Sequence, residues 1–193
     1  MPAMEQQARS HQLPSRQPPA TVVIYTIGHS TRSLDEFIAL LKAHGVTQLA
    51  DVRSVPRSRR HPHFAADALS VSLPAAGIAY RHCPGLGGLR KARRESLNTA
   101  WRHEGFRGYA DYMETAEFER ALDELVDLAA QQPTAIMCAE AVWWRCHRQL
   151  TADALVARGI EVRHITSASA APPHTLTEFA RATNGKVTYP GLV

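Results

Sequence analysis

Between residues 21 and 166 the chain alternates short apolar runs with amphipathic segments, and this alternation limits the possible fold more than any single motif does. The first run, Thr21–Ile27 in "TVVIYTIG", is β-branched, of strand length, and stops at Gly28. "STRSLDEFIALLKAHG" follows, with Leu34, Phe37, Ile38 and Leu41 on one helical face. Ser33 and Glu36 have the spacing of a capping box, and Gly45 supplies the C-terminal stop. Further strands are expected at Thr47–Val52 and in "IAYRH", "TAIMC" and "IEVRHI". Helices are expected in "AADALSVSLPAAG", "TAEFERALDELVDLAAQQ" and "CHRQLTADALVARG". The stretch Pro84–Tyr112 is irregular, with room for two short helices.

The strands are near-continuous apolar runs, the pattern of a parallel sheet buried between helices. With 193 residues, 45% of them hydrophobic, the chain is long enough for one core rather than two. The expected fold is therefore a single three-layer α/β domain, residues 21–166, with a mainly parallel sheet of about five strands flanked by helices. The tail, residues 167–193, should pack on that domain and holds a candidate short helix at Thr177–Ala182. Residues 1–20 are polar and proline-containing, lack the apolar segment of a signal peptide, and are expected to be a disordered leader.

No apolar run approaches a membrane span, so no membrane partner is expected. The three cysteines Cys83, Cys138 and Cys146 form no regular framework of disulfides. A cytoplasmic protein with reduced thiols is the expectation. The net charge of +4 is modest but concentrated in "RSVPRSRRHPHF" and "LRKARRES". Such runs favour a phosphorylated small molecule or nucleic acid as partner, against the plainer reading of a solvated surface.

In an open parallel sheet, ligands bind beyond the carboxyl ends of the strands. Gly28, His29 and Ser30 fall there after the first strand, Asp51 and Arg53 around the second, His82 and Cys83 after the third, and Cys138 and Glu140 after the fourth. Cys146, His147 and Arg148 open the next helix, whose free amides and partial positive charge favour an anion and a thiolate. The candidate catalytic residues are Cys138, Glu140, Asp51 and His29. The candidate anion-binding residues are Gly28, Ser30, Arg53, Cys146, His147 and Arg148.

Each of these also has a structural reading. Cys138 fits a small buried hydrophobe, Asp51 a partner of Arg53, Glu140 a partner of Arg145 or Arg148, and Trp143 and Trp144 lid or core packing. Cys138 and Cys146 have seven residues between them, wider than a zinc knuckle. A metal site would have to be assembled across loops from Cys138, Cys146, His29 and His82, and no metal or cofactor is expected. Six residues separate Cys138 from Arg145, one too many for a phosphatase cysteine loop, and "PGLGGLR" opens no convincing helix.

"TIGHSTRSLDEFIALL", "DVRSVPRSRRHPHF", "PGLGGLR", "FRGYADYM" and "MCAEAVWWRCHRQLTADAL", with the terminal "VTYPG", together resemble the domain-of-unknown-function 488 family of uncharacterised bacterial and archaeal proteins. Gly28, His29, Ser30, Asp51, Arg53, Pro56, Ser58, Phe64, Gly87, Gly88, Tyr109, Cys138, Glu140, Cys146, His147 and Arg148 carry the resemblance, which implies no particular activity. The segment "AVWWR" departs from the more polar sequence usual there.

Three functions fit these observations. The leading one is an enzyme acting on a phosphorylated or nucleic-acid-related substrate. In it Arg53, Arg148 and the start of the helix at Cys146 hold the anion, reinforced by Arg57, Arg59 and Arg60. Cys138 is nucleophile or polariser, and Glu140, Asp51 or His29 is the acid–base group. The alternatives are a non-catalytic nucleic-acid-binding module and a thiol-based metal or redox protein.

Overall fold

The computed structural model describes residues 22–191, so the expected leader lies outside the described residues. Five strands, β1 (Val23–Gly28), β2 (Gln48–Asp51), β3 (Ala79–His82), β4 (Thr134–Cys138) and β5 (Glu161–His164), form one parallel sheet in the order β3-β2-β4-β1-β5. The expected α/β class is the one observed.

From β1 the chain passes through α1 (Leu34–Ala43) to β2, and through α2 (Ala66–Ala75) to β3, stepping outward in one direction. From β3 it returns through α3 (Glu104–Met113) and α4 (Ala116–Gln131) to β4, between β2 and β1. It then crosses through α5 (Arg148–Ala157) to β5 on the far edge. Right-handed crossovers that step in opposite directions put their helices on opposite faces. The packing shows the consequence. Phe37, Leu41, Leu69 and Leu73 meet Leu49, Ala135 and Met137 on one face. Tyr109, Phe118, Leu122, Leu150 and Leu155 meet Ile24, Ala50 and Ile136 on the other. Alternate residues of β4 thus serve the two cores, as the two-residue period of a strand requires.

β1 and β4 are neighbours whose outgoing chains leave toward opposite faces, which opens a crevice at their carboxyl ends. The register sets Gly28 beside Cys138, and Asp51 beside Met137, so three strand ends finish around that crevice. The local signals behave as their chemistry requires. The Ser33 hydroxyl accepts from the Glu36 amide at 3.2 Å while the Glu36 carboxylate accepts from the Ser33 amide at 2.8 Å. Gly45 leaves the helix at a φ of +68°.

One local expectation is met and one changes. In the irregular stretch, only Pro84–Leu86 (one 3-10 turn) and α3 are helical. The rest is tied to buried Asp111, whose carboxylate accepts from Ser96 at 2.5 Å, Asn98 at 2.9 Å and the Arg93 amide at 2.7 Å. The expected helix at Thr177–Ala182 does not form. Instead β6 (Arg181–Thr183) pairs antiparallel with β7 (Lys186–Thr188) across Asn184 and Gly185, at φ values of 50° and 76°. Asn-Gly is the strongest short hairpin signal, and it outweighs a weak helical period. Val187 in β7 and Tyr189 just beyond it enter the core beneath α5.

Candidate active site at the carboxyl edge of the sheet

A cleft of about 950 Å³ opens over the crevice, lined by residues from four loops, including His29, Ser30, Arg53, Cys138, Glu140, Cys146 and His147. Gly28 lies buried under it. A Cβ there would come within 1.8 Å of the Glu140 carbonyl, so only glycine lets the loop after β4 cross the end of β1. The two chains continue to pair past their strands: the His29 amide donates to the Cys138 carbonyl at 3.0 Å, and Ser30 to Ala139 at 2.9 Å. Ser30 itself sits at a φ of 51°, the left-handed region that a serine adopts only under constraint.

The floor of the cleft holds a compact trio. The Sγ atoms of Cys138 and Cys146 and one ring nitrogen of His147 all lie within 4.8 Å of one another. His147 Nδ1 is 3.5 Å from Cys146 Sγ and 4.0 Å from Cys138 Sγ, while its Nε2 is 3.1 Å from the Val52 carbonyl. A carbonyl only accepts, so Nε2 carries a proton and donates it, and Nδ1 is the ring atom that faces the sulfurs. The adjacent Cys138 thiol holds the Cys146 thiol well below its ordinary value despite burial, and His147 and Arg148 add to the effect. The reverse interaction, with burial, pushes the Cys138 thiol up. The pair therefore gives up one proton easily and keeps the second.

Arg148 is fully buried, 1% exposed. It donates to the Glu140 carbonyl and, at 3.4 Å, to Thr26 Oγ1, and its Nε finds no partner among the described residues. It anchors the loop carrying Cys138 and Glu140 from below and does not line the cleft. Arg53 does line it, though most of its guanidinium is engaged. Nε and Nη2 form a fork with Asp51 at 2.8 and 2.5 Å, and Nη2 also donates to the Phe64 carbonyl at 2.8 Å. Burial opposes the charge on Arg53, yet the hydrogen bond and the negative charge of Asp51 together outweigh it and raise the pKa above the ordinary value. Asp51 is wholly buried and also accepts from the Tyr80 hydroxyl at 2.8 Å. It does not line the cleft, and its fork orients Arg53, which does.

His29 stacks on Phe64 with ring centroids 4.3 Å apart, donates from Nδ1 to the Ser30 carbonyl at 2.9 Å, and turns Nε2 toward Arg53 at 3.4 Å. Desolvation, helped by the Arg53 charge, lowers its pKa to about 4, so it is neutral near pH 7. Glu140 is exposed on the cleft lip. His82 donates from Nε2 to the Arg53 carbonyl at 2.9 Å and does not line the cleft, and Cys83, pushed up to about 11 by burial, also lies outside it.

The walls add groups that the sequence did not single out. Arg145, His61 and His103 line the cleft beside Arg57 and Arg60, whereas Arg59 does not. Val55, Leu89 and Trp144, three of the few large exposed apolar side chains, stand around its mouth. Trp143 has the opposite fate, stacked on His164 at 4.1 Å with the rings nearly parallel. The clue missed in the sequence was the adjacency of Cys146 and His147. The helix begins one residue later, at Arg148, after a 3-10 turn at Trp143–Arg145, so both side chains belong to the loop and can point at Cys138. Gly88, from "PGLGGLR", completes the floor: a Cβ there would stand 2.4 Å from His147 Nδ1.

No curated protein and no solved structure matches the chain. A family model does, over residues 33–155, from the start of α1 through most of α5. That span contains every cleft residue named above except those of the loop after β1. By this match the chain belongs to the family described as domain of unknown function DUF488.

Proposed function

We propose that the cleft is the active site of an enzyme acting on a phosphorylated or nucleic-acid-related substrate. The observation that carries this reading is the charge of the lining: Arg53, Arg57, Arg60 and Arg145 against one carboxylate, Glu140. Ion pairs among the described residues engage Arg53, Arg93, Arg158, Arg163 and Lys186 but leave Arg57, Arg60 and Arg145 uncommitted. Free guanidinium forks in a concave site suit phosphate oxygens, and charge of one sign within a cleft concentrates its counter-ligand. The apolar mouth with Trp144 offers a surface on which a base can lie.

Roles follow from reach. Arg57, Arg60 and Arg145 hold the anion. Arg53 borders it and is kept in place by Asp51 and His29. Glu140, exposed on the cleft lip, exchanges protons with the substrate or with water. The Cys138–Cys146–His147 trio supplies the group that attacks or polarises the substrate. Asp51 and Arg148 are positioning residues.

The test is a turnover screen of the full chain on phosphomonoesters, phosphodiesters and nucleotides, with binding measured in parallel. The expected result is phosphate or nucleotide release that falls by about 100-fold or more in Glu140→Gln, the usual scale for a general acid or base, with substrate affinity retained. Tight, salt-sensitive nucleic-acid binding without turnover, unchanged in Glu140→Gln and Cys146→Ser, would instead identify a non-catalytic binding module.

A further inference from the structure

We infer that Cys138, Cys146 and His147 bind a zinc-class divalent cation and leave its fourth coordination position open to the cleft. The inference rests on the proposed active site and says which of its two chemistries, attack or polarisation, the trio performs.

The first argument is distance. Bonds of about 2.3 Å to sulfur and about 2.0 Å to nitrogen, at tetrahedral angles, set sulfur and nitrogen donors about 3.6 Å apart. The distances from His147 Nδ1 to the sulfurs are 3.5 and 4.0 Å, so an ion would draw Cys138 in by a few tenths of an ångström.

The second argument is orientation. A metal-bound histidine offers one nitrogen to the ion and fixes the other with a hydrogen bond, commonly to a main-chain carbonyl. His147 has this geometry before any ion arrives: Nε2–H is held by the Val52 carbonyl, and Nδ1 faces both sulfurs. Gly88 packs flush against the ring, where a side chain would displace it. A histidine serving only as a thiol's base needs one sulfur beside it; here both are gathered around the same nitrogen.

The third argument is charge. Arg148 is buried next to the trio without a carboxylate partner, and a lone buried cation is costly. Two thiolates and a divalent ion form a neutral centre, so the ion adds no net charge beside the arginine, while its thiolate ligands stay within the arginine's field. Three protein ligands with a vacant fourth position is the arrangement of catalytic rather than structural zinc sites. Because all three ligands line the cleft, a substrate oxygen or a water held by Glu140 can take that position.

The test uses the untagged full chain with zinc alone as probe. Elemental analysis after dialysis should give about one zinc per chain, as a single Cys2His site requires. Replacement by cobalt should give sulfur-to-cobalt charge transfer and the intense visible bands of tetrahedral coordination. Cys146→Ser and His147→Ala should each lose most of the bound metal, and Cys83→Ser should keep it. In the wild-type chain, which avoids any folding defect of a variant, alkylation of Cys138 and Cys146 should rise on chelation while Cys83 stays constant. Substoichiometric metal, occupancy unchanged in both ligand variants, or thiol reactivity indifferent to chelation would each overturn the assignment. Pyrophosphate binding to the metal-free protein is measured alongside. If metal is absent but pyrophosphate still binds at the arginines, the metal site fails and the enzyme reading survives. If the metal binds but pyrophosphate does not, the enzyme reading fails and the metal site survives.

Discussion

The cleft at the carboxyl edge and the polar cluster beneath the C-terminal hairpin use similar side chains to opposite ends. In the cluster, the Tyr189 hydroxyl donates to Asp153 Oδ2 at 2.8 Å. His174 Nε2 and the Thr177 amide donate to Asp153 Oδ1, both at 2.8 Å. His174 Nδ1 meets His164 Nε2 at 2.9 Å, and His164 Nδ1 meets Thr26 Oγ1 at 2.7 Å. Trp143 lies flat over His164, and Asp153 is wholly buried. The ring and carboxylate atoms of this chain are all matched, so the cluster is closed and joins the tail to β1, β5 and α5. In the cleft, two sulfurs and a nitrogen lone pair converge without saturating one another, and Arg57, Arg60 and Arg145 reach solvent unpaired among the described residues. Closed polar networks specify the fold; open ones await a ligand.

The largest effect should come from breaking the closed side. Asp153→Ala leaves buried donors without an acceptor and should cost about 3–5 kcal/mol, read from urea unfolding, with pyrophosphate affinity unchanged in the molecules that remain folded. A cost below about 1 kcal/mol, the scale of an exposed pair, would remove the distinction between the two regions.

Acid should strain both regions next. Desolvation lowers the His164 pKa from 6.5 to about 3, helped by His174 and Arg148, and lowers the His29 pKa from 6.5 to about 4. Above pH 6.5 both rings are neutral whether the chain is folded or not, and their contribution is complete. As the pH falls below 6.5 the unfolded chain takes up protons that the folded one refuses, so stability drops through the window down to about 4 for His29 and about 3 for His164. Melting temperature against pH should show this slope, and His164→Gln should flatten it. A wild-type profile flat from pH 7 to about 4 would contradict the burial argument.

On the open side, effects on stability should be small and effects on binding should not. Arg57→Ala with Arg60→Ala should change stability by no more than about 0.5 kcal/mol, weaken pyrophosphate binding by about 10- to 100-fold, and reduce its salt dependence. Calorimetric titration at several ionic strengths checks both, and unchanged affinity would place the anion elsewhere. The narrowest effect is expected from Trp144→Ala, which should leave pyrophosphate affinity and stability alone but weaken nucleotide binding by about 1 kcal/mol, the low end of the scale for one base on one aromatic ring. Equal losses for both ligands would argue against a base at the mouth.

How much of this the sequence revealed follows from the range of the interactions. The strands, helices and strand-end residues rest on local periodicity and on a general property of parallel sheets, so Cys138, Glu140, His29 and Arg53 were legible in advance. Strand order was not, because β4 enters the sheet between β2 and β1 through contacts distant in sequence. Burial also divides like residues: nothing in the letters separates Arg148, wholly enclosed, from Arg57 on the surface, or half-buried Trp143, stacked on His164, from exposed Trp144 at the cleft mouth. The histidine facing the sulfurs was assigned to an anion-binding helix start because the helix boundary was set two residues too early, at Cys146 instead of Arg148. Asn184-Gly185, by contrast, is a local signal, and its turn preference prevails over the weak helical period before it.

The central claim is that an anion enters the carboxyl-edge cleft and meets the Cys138–Cys146–His147 floor. Titrating isotopically labelled full-length protein with pyrophosphate, and following backbone amide resonances by NMR, tests it without knowledge of the natural substrate. The account predicts saturable shifts grouped at residues 29–31, 53–61 and 138–147, with the amides around Asp153 and Tyr189 unmoved. Shifts grouped at the other basic run, residues 89–96, or no saturable shifts at all, would contradict it.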